Sequence, residues 1–177
     1  MRSILIFCLA ALFIGCGIKG IPYSKDTDAT ELNDVAISHY KWGLAYAKQG
    51  ELARAATEFK LAIQHEPGWA IPYFNLGAVY GNMGALDEAI LAWERAVQLD
   101  VDFGKAHYNL AVAYSHRVAD PVEGISRVAD IEKAIRSLQE AIRIDDTVRS
   151  TAEAEHAFDI IRDLPDFQAL FQSTEPK

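Results

Sequence analysis

The sequence predicts an all-α protein: an α-α superhelix (solenoid) of three helical hairpins, the third with an insertion, closed by C-terminal capping helices. Three observations predict it. First, apolar residues fall at i, i+3, i+4 and i+7 in two consecutive runs. Tyr73, Leu76, Gly77 and Tyr80 make the first, and Leu86, Ala89, Ile90, Trp93, Ala96 and Val97 the second, the spacing of one buried face on an α-helix. Second, the order of small and bulky residues recurs one period earlier. Gly43, Tyr46, Ala55, Phe59, Ala62 and Pro67 take the positions of Gly77, Tyr80, Ala89, Trp93, Ala96 and Val101. Third, it returns one period later as Leu110, Ala111 and Tyr114, and then, after about eleven extra residues, as Ala134, Leu138 and Ala141.

The small residues have a physical role. Helix axes pack about 8–10 Å apart, depending on the side chains at the contact. Gly43, Gly77 and Ala111 on the first helices, and Ala55, Ala89 and Ala134 on the second, remove bulk at the crossing. Tyr46, Phe59, Tyr80, Trp93 and Tyr114 then fill the space between successive hairpins. Residues 70–103, AIPYFNLGAVYGNMGALDEAILAWERAVQLDVDF, resemble the tetratricopeptide repeat (TPR) on this pattern of aromatic, Leu-Gly, Tyr, then Ala, bulky aromatic, Ala. Val101 departs from it where the family places Pro, and Trp42 stands where the second repeat has Leu76. The resemblance implies three repeats, 36–69, 70–103 and 104–147, the last interrupted at about 117–130.

In order along the chain, residues 1–15 carry one basic residue and an apolar run, Ile4 to Ile14. That run is shorter than the roughly 20 residues a membrane-spanning helix needs, and has the length of a signal-peptide core. It ends in Phe13-Ile14-Gly15-Cys16, which resembles the bacterial lipobox, with Phe13 for the usual Leu and a bulky Ile14. The resemblance implies cleavage before Cys16 and attachment of lipid (palmitate among its chains) to that cysteine. A secretory signal cut further on, or an uncleaved apolar helix, stays open. Gly17, rather than Asp, follows Cys16. In bacteria with two membranes the resemblance then implies the outer membrane, facing the periplasm. Residues 16–35 read as a flexible tether.

The first repeat helix is expected to start with Asn33 or Asp34 as N-cap. Gln49-Gly50 and Met83-Gly84 mark turns within hairpins, and Glu66-Pro67-Gly68 a turn between them, since Pro cannot continue a helix. In the insertion, Asp120-Pro121 reads as N-cap and first helical residue, and Val122, Ile125 and Val128 keep a helical spacing. The third hairpin is therefore either simply longer or carries a short extra helix. Ser150-Thr151-Ala152-Glu153 resembles a capping box. It predicts a helix through Arg162 that buries Ala154, Ala157, Phe158 and Ile161 over the last hairpin. A final turn after Asp163 would pack Phe167, Leu170 and Phe171 back; together, residues 148–177 form the cap and tail that terminal repeats require.

At 177 residues the chain makes one domain of ordinary size. A formal net charge of −8, with no Lys/Arg cluster, argues against nucleic acid as partner. Cys8 and Cys16 both precede the repeats, so neither a disulfide framework nor a CxxC metal site is expected. No GxSxG, P-loop, GxGxxG or HExxH occurs, which predicts no enzyme, no cofactor and no metal. His39 and His107 share the repeat position of Tyr73 and read as packing residues; His65, His116 and His156 have no partner at ligand spacing.

What remains is a surface. In stacked repeats the first helices line a concave groove. Counted along those helices, its residues are Tyr40, Lys41, Leu44 and Lys48, then Phe74, Asn75, Ala78 and Asn82, then Lys105, Tyr108, Asn109, Val112 and His116. An aromatic recurs at one position (Tyr40, Phe74, Tyr108), followed by Lys or amide (Lys41, Asn75, Asn109). Aromatics offer contact area at low entropy cost, and Asn can both donate to and accept from a peptide backbone. Asn75 and Asn109 resemble the asparagine ladder of the O-linked N-acetylglucosamine transferase family. The carboxylate clamp of chaperone-binding TPRs is matched only at Asn75 and Lys105. The expected function is a membrane-tethered scaffold of the bacterial envelope, binding a protein or extended peptide. The other readings are that these residues pack against the capping helix, and that the chain is a structural homo-oligomer joined by repeat ends or the insertion.

Overall fold

A computed structural model describes residues 32–120 and 126–172. The expected signal, Cys16, most of the tether, Pro121, Val122 and Ile125 lie outside them. All regular structure among the described residues is helical. The helices are α1 (Asp34–Lys48), α2 (Leu52–His65), α3 (Ala70–Asn82), α4 (Leu86–Leu99), α5 (Gly104–Ala119), α6 (Arg127–Ile144), α7 (Val148–Ala154), a 3₁₀ turn (His156–Phe158) and α8 (Pro165–Ala169). No described helix is long and apolar enough to cross a membrane. The chain divides into two compact units, Met1–Ala89 and Ile90–Lys177.

In the first unit, Asn33 caps α1 by accepting from the Val35 N–H at 2.8 Å. Beyond the end of α1 the chain turns at Gly50, whose φ of +77° is left-handed and suits a residue without Cβ. There the Glu51 N–H donates to the Tyr46 carbonyl (2.9 Å) and the Gly50 N–H to that of Ala47 (3.1 Å), the Schellman closure. The Met83-Gly84 turn repeats it, with Ala85 N–H to Tyr80 O (3.0 Å) and φ +77° at Gly84. Helix α2 then packs on both α1 and α3. The α1–α2 crossing is close because Gly43 has no side chain: a Cβ there would lie 2.6 Å from Phe59 Cε1. Phe59 thus lies buried on the α1 backbone, beside Ala55 and Ala62.

In the second unit, α5 and α6 pair through Ala111, Ala134, Leu138 and Ala141, all fully buried. Its described helices are longer: α5 has 16 residues and α6 has 18, against 15 and 14 in α1 and α2. The added turns are fixed by a buried ion pair. Arg117 donates through Nε to Asp130 Oδ2 (2.8 Å) and through Nη2 to Asp130 Oδ1 (2.6 Å). Both side chains are almost wholly out of solvent.

The cap differs from the expected helix through Arg162. Helix α7 stops at Ala154, and Thr147, not Ser150, stands at its N-cap. Glu155 turns to extended backbone (φ −79°, ψ 116°) and its carboxylate then caps the 3₁₀ turn by accepting from Ala157 N–H. The reason lies in Arg162, whose guanidinium donates to the Glu153 carbonyl (2.7 Å) and the Glu155 carbonyl (3.0 Å). It thereby holds those carbonyls away from a continuing helix ladder. The break leaves Ala154 exposed but brings Phe158 and Ile161 fully inside. Phe167 on α8 packs on Phe158 (ring centroids 5.6 Å) and Phe171 (5.0 Å). Arg149 ties α7 to this end by donating to the Leu170 carbonyl.

Candidate functional site

Helices α1 and α3 lead two successive repeats, and the first unit brings their predicted site residues side by side. The Tyr40 ring is wedged between Trp69 (centroids 4.7 Å) and Phe59 (5.9 Å). Asn75 reaches Tyr40 across the helices, its Nδ2 donating weakly to the hydroxyl at 3.5 Å and more closely to the Ile71 carbonyl at 3.0 Å. Both amide hydrogens of Asn75 are engaged, which leaves its side-chain oxygen to accept from a ligand N–H. Burial raises the Tyr40 pKa, and the Asn75 bond opposes that rise. Leu44, Phe74, Asn75 and Ala78 are half-buried and Lys41 is exposed. Of the residues further along, Lys48 and Asn82 are exposed, and Asn82 donates to the Ala78 carbonyl at 3.0 Å. The result is a firm aromatic floor with an amide, a methyl and an ammonium at its surface.

The second unit treats its share of the predicted set differently. Lys105 is exposed and Asn109 half-buried, but Tyr108 and Val112 are buried, at 7% and 4% exposure. The 3₁₀ turn of the cap covers them: Phe158 meets Tyr108 edge-on, centroids 6.2 Å apart. Tyr108 and Val112 are therefore not open groove residues, as the sequence count expected. Instead, the packing alternative holds at these two positions. The Tyr108 hydroxyl is shut off from water and has no hydrogen-bond partner of good geometry. Burial first, and the Glu155 carboxylate second, hold its proton more tightly than in a free tyrosine.

His116 lies half-buried one turn beyond Val112 on the same helix. Burial lowers its pKa, partly offset by the Glu155 carboxylate. The unfolded chain, with an ordinary His pKa of about 6.5, then binds the proton more readily than the fold. Stability is thus fully present above about pH 6.5 and falls as the pH drops from there towards the lowered folded value. Urea midpoints measured across that window should fall with pH, and His116→Gln should flatten the dependence.

Sequence reasoning missed two groupings. His39 Nδ1 donates to Glu58 Oε2 (2.7 Å), and the ring stacks flat on His65 (5.6 Å) and meets Trp42 edge-on (5.2 Å). The spacing of 26 residues between the two histidines is no helix period, so no pattern signalled it. The Arg117–Asp130 pair was equally invisible, since it joins the two ends of the insertion. No group of three or more His, Cys, Asp or Glu that could hold a metal occurs among the described residues.

Residues 36–69 and 70–102 each match the tetratricopeptide repeat family. No curated protein sequence matches this one. Among solved structures the fold is similar to that of MamA, with a TM-score of 0.62 at 20% identity over 77% of this chain and 74% of that one. It is similar to the TPR2B domain of yeast Sti1 in its pHsp70 complex (TM-score 0.56, 20% identity, 79% of this chain and 98% of that one). It is similar also to the first TPR of Spaghetti (RPAP3) bound to the HSP90 peptide SRMEEVD (0.55, 16%, 71% and 98%). At these identities the likeness is one of fold.

Proposed function

We propose that this chain, which carries tetratricopeptide repeats at 36–69 and 70–102, is a non-enzymatic adaptor that holds an extended peptide of a partner protein on the α1/α3 face. One observation carries the reading: Tyr40 and Asn75 meet across α1 and α3, partly open to solvent, with Phe59 and Trp69 packed on the Tyr40 ring and half-buried Phe74 next to Asn75 in the chain. Rigid aromatics bind at low entropy cost, and an adjacent amide can pair with a peptide backbone. Lys41 beside them favours a ligand with a carboxylate. The Sti1 and Spaghetti TPR structures, whose titles record a pHsp70 complex and a bound HSP90 peptide, support the same mode of use.

The adaptor is tethered to a membrane of the bacterial envelope through lipid on Cys16, in the reading that the lipobox-like Phe13–Cys16 supports. Its roles fit assembly of envelope structures. Replacing Phe74 and Asn75 together with Ala should reduce capture of the partner from envelope extract by roughly tenfold or more, the size of one interface hot spot. Helicity by circular dichroism should stay unchanged. Capture equal to that of the unaltered chain would move the site elsewhere. Mass spectrometry of the purified N-terminus should find an acylated Cys16; an unmodified Cys16 thiol would remove the anchor.

A further inference from the structure

Helix α1 leads the first matched repeat, and one face of it is partly exposed. Here that face is unusually apolar and has its own charge pattern. Val35, His39, Trp42 and Tyr46 fall at i, i+4, i+7 and i+11 on α1, one stripe of a helix. Val35 is 46% exposed and Trp42 54%. Leu76 and Leu110, the equivalents of Trp42 in the next repeats, are 6% and 3% exposed. Beside the stripe lies an open cleft of about 430 Å³ lined by Tyr46, Ala53, Arg54, Thr57 and Glu58.

The second unit shows what such a cleft receives. Tyr114 and Lys133 are the repeat equivalents of Tyr46 and Arg54, and the cation sits over the ring in both cases, at 5.1 Å for Lys133 and 5.5 Å for Arg54. In the second unit, Glu94 of α4 enters this corner. Its carboxylate accepts from the Tyr114 hydroxyl and lies 3.4 Å from Lys133 Nζ, with Val97 and Gln98 lining the same cleft. In the first unit the corner holds a phenol and a guanidinium. Arg54 is met there by Glu51 at 2.7 Å in an exposed i,i+3 pair, and Glu58 is held by His39.

We propose that the outer face of α1, from Val35 to Tyr46, is a docking site for an amphipathic helix of a partner protein that brings a carboxylate to Tyr46 and Arg54. The charge pattern decides against a second copy stacking through its last repeat. The position of Glu94 is taken in α6 by Gln139, which has no charge to offer, and α6 is itself contacted by α7. The only acidic residue at that position, Glu94, is engaged within its own unit. This site is separate from the peptide face on α1 and α3.

The test uses the full chain and a synthetic α4 surrogate, residues 86–100 with Trp93→Phe, so that all indole signal comes from the protein. Trp69 and Trp93 are buried in the chain, so iodide reaches Trp42. The peptide should protect Trp42 saturably and shift its emission to the blue. A surrogate with Glu94→Gln should bind roughly tenfold more weakly, the size of one charge-assisted hydrogen bond. The Arg54→Glu chain, altered at an exposed position, should lose that preference, and Phe74→Ala/Asn75→Ala should leave it intact. Equal binding of the two surrogates, or no binding, would overturn the proposal. So would a Trp42 already shielded without peptide: a dimeric mass by sedimentation would assign the face to a second copy, and a monomeric mass to the chain's own residues.

Discussion

Replacing Arg117 with Met is expected to destabilise the protein by about 3–5 kcal/mol, because it leaves the Asp130 carboxylate buried without its partner. Asp130 is 2% exposed, and both of its oxygens accept from Arg117. The guanidinium also lies 5.2 Å from the Tyr114 ring centroid, so the change removes packing as well as charge. Urea melting followed by circular dichroism measures the loss. The double variant Arg117→Met/Asp130→Leu should recover most of it, since a buried pair exchanged for apolar residues of similar volume is often neutral. If Arg117→Met alone costs less than about 1 kcal/mol, the pair is not what fixes the lengthened hairpin.

Phe158→Ala is expected to cost a similar amount, about 3–5 kcal/mol, the usual range for a fully buried Phe. Phe158 is 0% exposed and joins Tyr108 below it to Phe167 beside it. Its loss should loosen the cap first. Amide exchange should therefore speed up in α7, the 3₁₀ turn and α8 before α5 and α6. The Tyr108 hydroxyl, re-exposed, should titrate at lower pH, near the ordinary value of about 10. A Tyr108 titration that does not move would show that Phe158 is not what covers this helix.

These two sites also mark where the sequence ceased to be readable. The hairpins were legible because their signals are local: a 3.6-residue apolar period, Gly50 and Gly84 at left-handed turns, and Gly43 opposite Phe59 within one hairpin. Residue type left Asn33 and Asp34 as N-cap candidates, and Asn33 is the cap. The cap was legible as a cover but not in shape. Ser150 to Arg162 has the composition of one helix, and what breaks it is Arg162 taking the carbonyls of Glu153 and Glu155, a tertiary choice. The site followed the same division. Counting along α1 and α3 puts Tyr40 and Asn75 on one face, and they meet across the two helices, with Lys41 exposed and Phe74 half-buried. Tyr108 and Val112 obey the same count on α5 but are covered by a segment some 45 residues later. Periodicity reports which face a residue is on, and says nothing of what arrives there from a distance.

In the proposed mode of binding, the α1/α3 face holds a partner's peptide. A photo-crosslinking residue placed at Ala78, in full-length protein kept in its own envelope, tests it most directly. A covalent adduct with a partner protein is expected, and it should disappear when Phe74 and Asn75 are both Ala. No adduct from position 78, or one indifferent to that double change, would contradict it.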